Sequence, residues 1–176
     1  SDLVYDQKAH QYQIDWDDLD TKLAEPLTTM MILCNPHNPI GKVWTKAELV
    51  KINQLCLKHS VTLLSDEIHG DLVFKGADYT PVFSLPSDLL QNVIVCVSPS
   101  KTFNVAALHA ATVIVPNEAL RSKVNRGINT DELGEPNLLA IPGTIAAYTK
   151  AGDWVHELRN QIRANYEMVV KFCQAN

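Results

Sequence analysis

Four short runs of apolar residues limit what this chain can fold into. Residues 29–34, 61–64, 93–97 and 111–115 are almost uninterrupted apolar stretches of strand length, and helical or long connections separate them. A strand that is apolar on both faces needs cover on both faces, which is typical of the parallel sheets of α/β proteins. The pattern therefore predicts a three-layer α/β fold, in which helices cover a mostly parallel sheet.

Helical signals occupy the segments between these runs. Thr45 and Glu48 form a capping box, which predicts that a helix begins directly after Thr45. The pair Pro142-Gly143 falls inside a later helical segment, so we expect a kink or break there. That segment spans residues 136–151, and the other helical segments are 15–23 and 117–126.

A long helical pattern closes the sequence. Asp153 is its expected N-cap, and its apolar stripe consists of Val155, Leu158, Ile162, Tyr166, Val169 and Cys173. At 1.5 Å rise per residue this helix reaches roughly 35 Å, longer than one small domain requires. We therefore expect residues 1–152 to belong to one domain and residues 153–176 to lead to a second. The start at Ser1 and the late helix also predict a piece of a longer protein.

Composition narrows the class of partner. A net charge of -5 gives no basic footprint for nucleic acid or for an anionic membrane. No apolar run is long enough for a membrane span or a secretory signal, and the four cysteines contain no Cys-x-x-Cys pair, which indicates a cytoplasmic protein with reduced thiols. The six histidines lack metal-ligand spacing, so no metal site is expected. Small-molecule chemistry is therefore the favoured class.

Polar clusters follow three of the apolar runs, at residues 35–41, 65–69 and 98–102. In open α/β sheets, ligands bind beyond the carboxyl ends of the strands. If the strands are parallel, the three clusters meet at one edge with an amide, a carboxylate, an imidazole, two hydroxyls and a lysine. Each cluster alone is common turn or capping chemistry, but three of them at successive strand ends favour a binding site. Neither a Gly-x-Gly-x-x-Gly nor a Walker pattern occurs, which disfavours dinucleotides and nucleoside triphosphates.

These clusters read NPHNPIG at 35–41, SDEIH at 65–69 and SPSKTFN at 98–104. In this order they resemble the fold-type-I pyridoxal 5'-phosphate (PLP) enzymes, and within them the aminotransferase-related cystathionine β-lyases of the MalY/PatB type. The resemblance covers nearly the whole chain. It implies that residues 1–152 are most of the PLP-binding large domain, without its N-terminal part. Residues 153–176 then begin the interdomain helix that leads to a small domain outside this chain.

The resemblance also implies roles for single residues. Lys101 would attach PLP covalently and then carry the proton at the substrate α-carbon. Asp66 would pair with the pyridinium nitrogen and keep it protonated, which makes the ring an electron sink. Asn38 would donate to the phenolic oxygen of the cofactor. His69 would lie near the same oxygen, where aminotransferases commonly carry a tyrosine.

The expected phosphate ligands follow the third run. The resemblance implies that the hydroxyls of Ser98 and Ser100 bind the phosphate. Many relatives have an arginine eight residues after the lysine, and here that position is His109. Either His109 takes part of the arginine's role, or hydroxyls and backbone amides bind the phosphate without it.

Three functions stay open on this evidence. The favoured one is C–S β-elimination on cystathionine or a related S-substituted cysteine, giving pyruvate, ammonia and a thiol. The others are an aminotransferase, and a lyase-like protein with an added regulatory partner. The resemblance further implies a homodimer. It places the residues that stack on the ring and bind the substrate carboxylate outside this chain, so the 176 residues alone are expected to be inactive.

Overall fold

The computed structural model describes residues 1–74 and 76–176. Its strands are β1 (Leu3–Asp6), β2 (Gln11–Ile14), β3 (Met30–Cys34), β4 (Thr62–Asp66), β5 (Val93–Val97) and β6 (Thr112–Ile114). Its α-helices are α1 (Trp16–Leu23), α2 (Lys46–Lys58), α3 (Pro99–Thr102), α4 (Glu118–Thr130), α5 (Ala140–Lys150) and α6 (Gly152–Ala175). Short 3-10 turns occupy Gly70–Leu72, Val82–Ser84, Ser87–Leu90 and Ala106–Leu108.

The main sheet has four strands in the order β3-β4-β5-β6. The pairs β3–β4 and β4–β5 are parallel, whereas β5–β6 is antiparallel. The connection from β5 to β6 holds only α3 and one 3-10 turn, too little for the helical crossover that a parallel neighbour needs. The chain therefore turns back and places β6 antiparallel at the sheet edge. The predicted α/β fold with a mostly parallel sheet is confirmed.

The hydrophobic core lies between one face of the sheet and the first two helices. Leu33, Leu63 and Val95 lie on that face, and Leu49 and Ile52 of α2 pack in the same cluster. Helix α2 begins as its sequence predicts. The Thr45 side chain accepts the N–H of Glu48, and the Glu48 carboxylate accepts the N–H of Thr45.

Two details of the predicted helices are wrong. Helix α5 begins only at Ala140 and runs without a break to Lys150, so Pro142 lies in its first turn, where a missing N–H costs no intrahelical hydrogen bond. Helix α6 begins at Gly152 with Ala151 at the N-cap, and Asp153 does not cap it. Asp153 lies instead in the first turn, where its negative charge suits the helix dipole.

The stripe on α6 is only half packed. Val155, Leu158 and Ile162 are partly buried, whereas Tyr166 and Val169 are 54% and 59% exposed. Among the described residues, no helix combines the length and the apolarity that crossing a bilayer requires.

Candidate functional site

The parallel strands bring their carboxyl ends side by side, as the polar clusters predict. In the register of the sheet, Asp66 at the end of β4 stands between Cys34 of β3 and Cys96 of β5. Burial, and then the negative charge of Asp66, raise the pKa of both thiols. Asp66 Oδ1 accepts the N–H of Ile68 at 3.2 Å. The carboxylate therefore lies in the middle of the sheet edge, on the same face as both cysteines.

Asn38 and His69 line one cavity of about 410 Å³ beside this edge. Asn38 is exposed, and His69 is partly buried immediately before the 3-10 turn Gly70–Leu72. The structure thus brings the first and second polar clusters together around one cavity. Its other lining residues, mostly apolar, are Pro36, His37, Pro39, Gly41, Val43, Leu72, Val73, Phe74, Ala77 and Ile162.

Lys101 lies in the short helix α3, which follows β5. Ser98 is the N-cap of α3, and its Oγ accepts the N–H of Ser100 at 3.2 Å. Ser98 Oγ also donates to the carbonyl of Ala110 at 2.6 Å. The Ser98 and Ser100 Oγ atoms also lie 2.9 Å apart, and because Ser98 gives its one proton to Ala110, the Ser100 hydroxyl is the donor in this second bond. Lys101 itself is exposed.

His109 lies on the same connection, directly before the Ala110 carbonyl that Ser98 binds. Its backbone is left-handed, with φ 47°, at the end of the 3-10 turn Ala106–Leu108. A non-glycine residue in this region is uncommon, and histidine is among the residue types enriched there. The turn therefore brings the Ala110 carbonyl, next to His109, to the hydroxyl of Ser98. The imidazole of His109 is exposed.

Comparison with known proteins identifies the family of the chain. The sequence model of the family described as aminotransferase class I and II matches residues 4–176. The chain belongs to this family. Cystathionine beta-lyase PatB of Bacillus subtilis is 44% identical over 159 residues, which are 90% of this chain and 41% of PatB. Protein MalY of Escherichia coli is 34% identical over 164 residues, which are 93% of this chain and 41% of MalY.

A solved structure extends the comparison to the fold. The crystal structure of cystalysin from Treponema denticola matches 99% of this chain and 44% of its own with a TM-score of 0.93 at 30% identity. That crystal structure contains a PLP cofactor. The aminotransferase-family chain described here therefore spans less than half the length of the relatives it matches.

The structure also shows a set of contacts that sequence reasoning missed. Thr102, the residue after Lys101, donates its hydroxyl to Asp71 at 3.1 Å, and its carbonyl accepts the indole N–H of Trp154 at 3.1 Å. Arg159 donates to the carbonyl of Asp71 at 2.7 Å. Helix α6 of this aminotransferase-family chain thus binds the helix that carries Lys101 and the 3-10 turn after His69. These partners are 31 to 88 residues apart in sequence, so no local pattern marks them.

Proposed function

We propose that this chain supplies most of the PLP-binding domain of a C–S lyase, which acts on cystathionine or a related S-substituted cysteine. The products are pyruvate, ammonia and a thiol. The observation that carries the proposal is the 44% identity to cystathionine beta-lyase PatB, which extends over 90% of this chain and all three polar clusters.

The residues at the sheet edge fit PLP chemically. PLP carries an aldehyde, a ring nitrogen that needs a negative partner, a phenolic oxygen and a phosphate. The edge offers an amine at Lys101 and a carboxylate at Asp66, and an amide and an imidazole line the adjoining cavity. Ser98 and Ser100 add two hydroxyls 2.9 Å apart. Each group of the cofactor therefore has a candidate partner of the right chemistry.

PLP, when bound, supplies an electron sink for the negative charge that develops at the substrate α-carbon. Lys101 Nζ would be the attachment point of PLP, and the free amine of the same side chain would take the α-proton of the substrate. Asp66 holds a proton on the ring nitrogen by its negative charge. Asn38 and His69 orient the ring through its phenolic oxygen. Ser98, Ser100 and His109, with the backbone beside them, would hold the phosphate, for which the Ser98 hydroxyl would have to turn from the Ala110 carbonyl.

The step that separates a lyase from a transaminase is the second proton transfer. In a lyase, the C–S bond at the β-carbon breaks and the leaving sulfur takes a proton to become the thiol, whereas in a transaminase the C–S bond stays intact. His69 replaces the tyrosine common in aminotransferases, and an imidazole differs from a phenol in reach and in charge near neutral pH. We propose that this replacement favours expulsion of the thiol.

Product analysis on the complete enzyme tests the proposed function. With cystathionine, we expect pyruvate and ammonia in equal amounts with the thiol, and little exchange with an added keto acid. Borohydride reduction followed by peptide mapping should attach the cofactor to Lys101. Lys123, on α4, is the control lysine and should stay unlabelled. If keto-acid exchange outpaces pyruvate release, the enzyme is a transaminase, and if Lys123 carries the label, the assignment of Lys101 is wrong.

The proposal includes the wider organisation of the enzyme. Residues 1–152 form part of the large domain, residues 153–176 begin the helix to the small domain, and two copies form a homodimer. The carboxylate-binding residue of the substrate pocket lies outside this chain. Because orientation of the substrate can supply roughly 7–11 kcal/mol of a barrier, the 176 residues alone should show almost no turnover. Robust turnover by this chain would contradict that division, and sedimentation of the complete enzyme tests the dimer.

A further inference from the structure

Glu67, the residue after Asp66, is a buried carboxylate with only 5% of its surface exposed. Its Oε1 accepts three hydrogen bonds, from the hydroxyl of Ser65 at 2.9 Å, the N–H of Val82 at 2.8 Å and the amide of Asn35 at 3.3 Å. These donors come from three separate segments of the chain. Glu67 therefore links the ends of β3 and β4 to the chain segment that contains Val82.

The second oxygen of Glu67 has its own partner. Oε2 accepts the hydroxyl of Tyr79 at 2.5 Å. Burial, then the hydrogen bond to Glu67 and its negative charge, raise the pKa of Tyr79, so this hydroxyl keeps its proton as a donor. A Cβ at Gly70 would lie 2.7 Å from the same hydroxyl, so only glycine leaves room for the contact.

The donors around Glu67 indicate which protonation state of its carboxyl group the cluster suits. An N–H and an amide NH₂ can only donate, and an ionised carboxylate can only accept. Four donors that converge on two oxygens therefore suit a charged Glu67. A buried charge is costly unless hydrogen bonds satisfy it, so the ionised carboxylate depends on these donors. A neutral amide at position 67 replaces one acceptor oxygen by a donor, so the Tyr79 hydroxyl would have to reverse its hydrogen bond and the ionic character of the cluster would be lost.

The backbone around Glu67 carries two residues of the proposed site. The carbonyl of Asp66 accepts the N–H of Asn35 at 2.9 Å, and Glu67 donates its own N–H to the carbonyl of Cys96 at 2.8 Å. The carbonyl of Glu67 accepts the N–H of Gly70 at 2.9 Å, which closes the turn that holds His69. Since successive side chains of a strand point to opposite faces, Glu67 holds this backbone from the face opposite Asp66.

We propose that Glu67 is a positioning residue of the cofactor site, which fixes Asp66 and His69 from behind the sheet edge. The inference rests on the proposed function, because it concerns the site that holds PLP. Glu67 itself touches neither cofactor nor substrate. It acts by fixing the peptide after Asp66, the turn after His69 and the segment from Tyr79 to Val82 in one arrangement.

The test compares Glu67→Gln with the wild type in the complete holoenzyme. We expect the dissociation constant for PLP to rise about tenfold or more. The pH midpoint of the cofactor's visible absorbance should also move, because the carboxylate that faces the ring nitrogen has shifted. We expect kcat/KM to fall about a hundredfold, the scale of an ångström-sized misplacement.

Two further variants break the cluster without altering Glu67. Tyr79→Phe removes one donor, and Gly70→Ala pushes the Tyr79 hydroxyl away. Both should change the dissociation constant and the pH midpoint in the same direction as Glu67→Gln, with Tyr79→Phe the weaker. If Glu67→Gln does not fold, these two variants test the positioning role of Glu67 in its place.

Asn53→Ala is the matched control. Asn53 is fully buried and donates to the carbonyl of Leu89, so it joins α2 to a 3-10 turn away from the cofactor residues. This variant should lower the melting temperature and leave both cofactor readouts unchanged. The inference is wrong if Glu67→Gln folds and keeps the wild-type dissociation constant for PLP and the wild-type pH midpoint. If Glu67→Gln does not fold, the same result for Tyr79→Phe and Gly70→Ala would show the inference to be wrong. A wild-type enzyme that binds no PLP would overturn the proposed function and this inference with it.

Discussion

The parts of the chain before and after the end of β5 bury their apolar residues very differently. The buried members of the core cluster all lie at or before Val95. In the described part of the chain after α3, helices α4 and α6 contain no buried residue, and α5 buries only Ala140 and Ala147. Large apolar side chains that are exposed on or before these helices include Leu133, Leu138, Leu139, Ile141, Ile145, Met168, Val169 and Phe172.

This difference separates what stabilises the chain from what the proposed chemistry uses. The first part has a packed core and the Glu67 cluster, which hold Asp66 and His69. Lys101 is an exposed residue near the start of the second part. It lies on a four-residue helix whose buried Thr102 is hydrogen-bonded to Asp71 and Trp154. Substitutions of the buried core residues up to Val95 should therefore change folding, whereas substitution of Lys101 should change chemistry alone.

Lys101→Ala in the complete enzyme should show the largest effect. We expect turnover to fall by more than about 10⁴-fold, since a positioned proton carrier alone contributes up to that factor and the covalent attachment is lost as well. The free energy of unfolding, measured without cofactor by denaturant titration, should change by less than about 0.5 kcal/mol because the side chain is exposed. A large loss of stability would contradict the separation between the two parts.

Asp66→Ala should cost far more activity than Asp66→Glu. Losing one partner of a desolvated ion pair costs about 3–5 kcal/mol, which lowers the rate on the order of a hundred- to several-thousand-fold. Asp66→Glu keeps the charge and should recover part of the rate. Steady-state rates with cystathionine measure both, and near-normal turnover of Asp66→Ala would show that another group protonates the ring.

Ile52→Ala and Phe172→Ala compare the two parts directly. Ile52 is buried in the core on α2, so its truncation should destabilise this chain by about 2–5 kcal/mol. Phe172 is 68% exposed on α6, and its truncation should change the stability of this chain by less than about 0.5 kcal/mol. Denaturant unfolding of the 176-residue chain measures both. Similar losses would mean that α6 packs as tightly as α2.

The smallest expected effect is a pH dependence at the start of α2. Burial acts to raise the pKa of Glu48, but the N–H of Thr45 and the ammonium of Lys42 hold it below its ordinary value. A lowered pKa stabilises the folded state above the ordinary glutamate pKa, and this contribution disappears as the pH falls through the lowered value. Glu48→Gln should therefore be less stable than wild type near neutral pH and lose that difference in acid. Melting temperatures of wild type and Glu48→Gln from pH 7 to pH 3 measure this difference. A difference that stays constant over this range would show that the ionised Glu48 carboxylate does not stabilise the fold.

Features that depend on neighbouring residues were predictable from sequence. The capping box of α2 and the strand ends at Asp66 and Val97 follow from residues close along the chain. The turn of β6 to an antiparallel edge and the unbroken helix at Pro142 depend on where a connection begins and ends, which local patterns define poorly. The strand order that places Asp66 between Cys34 and Cys96 was not predicted; parallel pairing predicted only that the polar clusters share one sheet edge.

The contacts that hold the candidate site together were not predictable in the same way. Glu67 reads as one more polar residue at a strand end, and its partners Asn35 and Val82 are 32 and 15 residues away. Burial decides its role, and burial follows from the assembled fold. The roles proposed for Lys101 and Asp66 come from the resemblance of their motifs, and they remain predictions for the experiments above.

The close approach of Gly70 and Tyr79 links the evolution of two positions nine residues apart. A Cβ at position 70 would stand 2.7 Å from the tyrosine hydroxyl and 2.8 Å from Cζ, although the backbone of Gly70 needs no left-handed conformation. Glycine is therefore required here by the side chain it faces. In sequences that keep the tyrosine and the buried glutamate, position 70 should accept only glycine, and a larger residue should enter only after position 79 has become smaller.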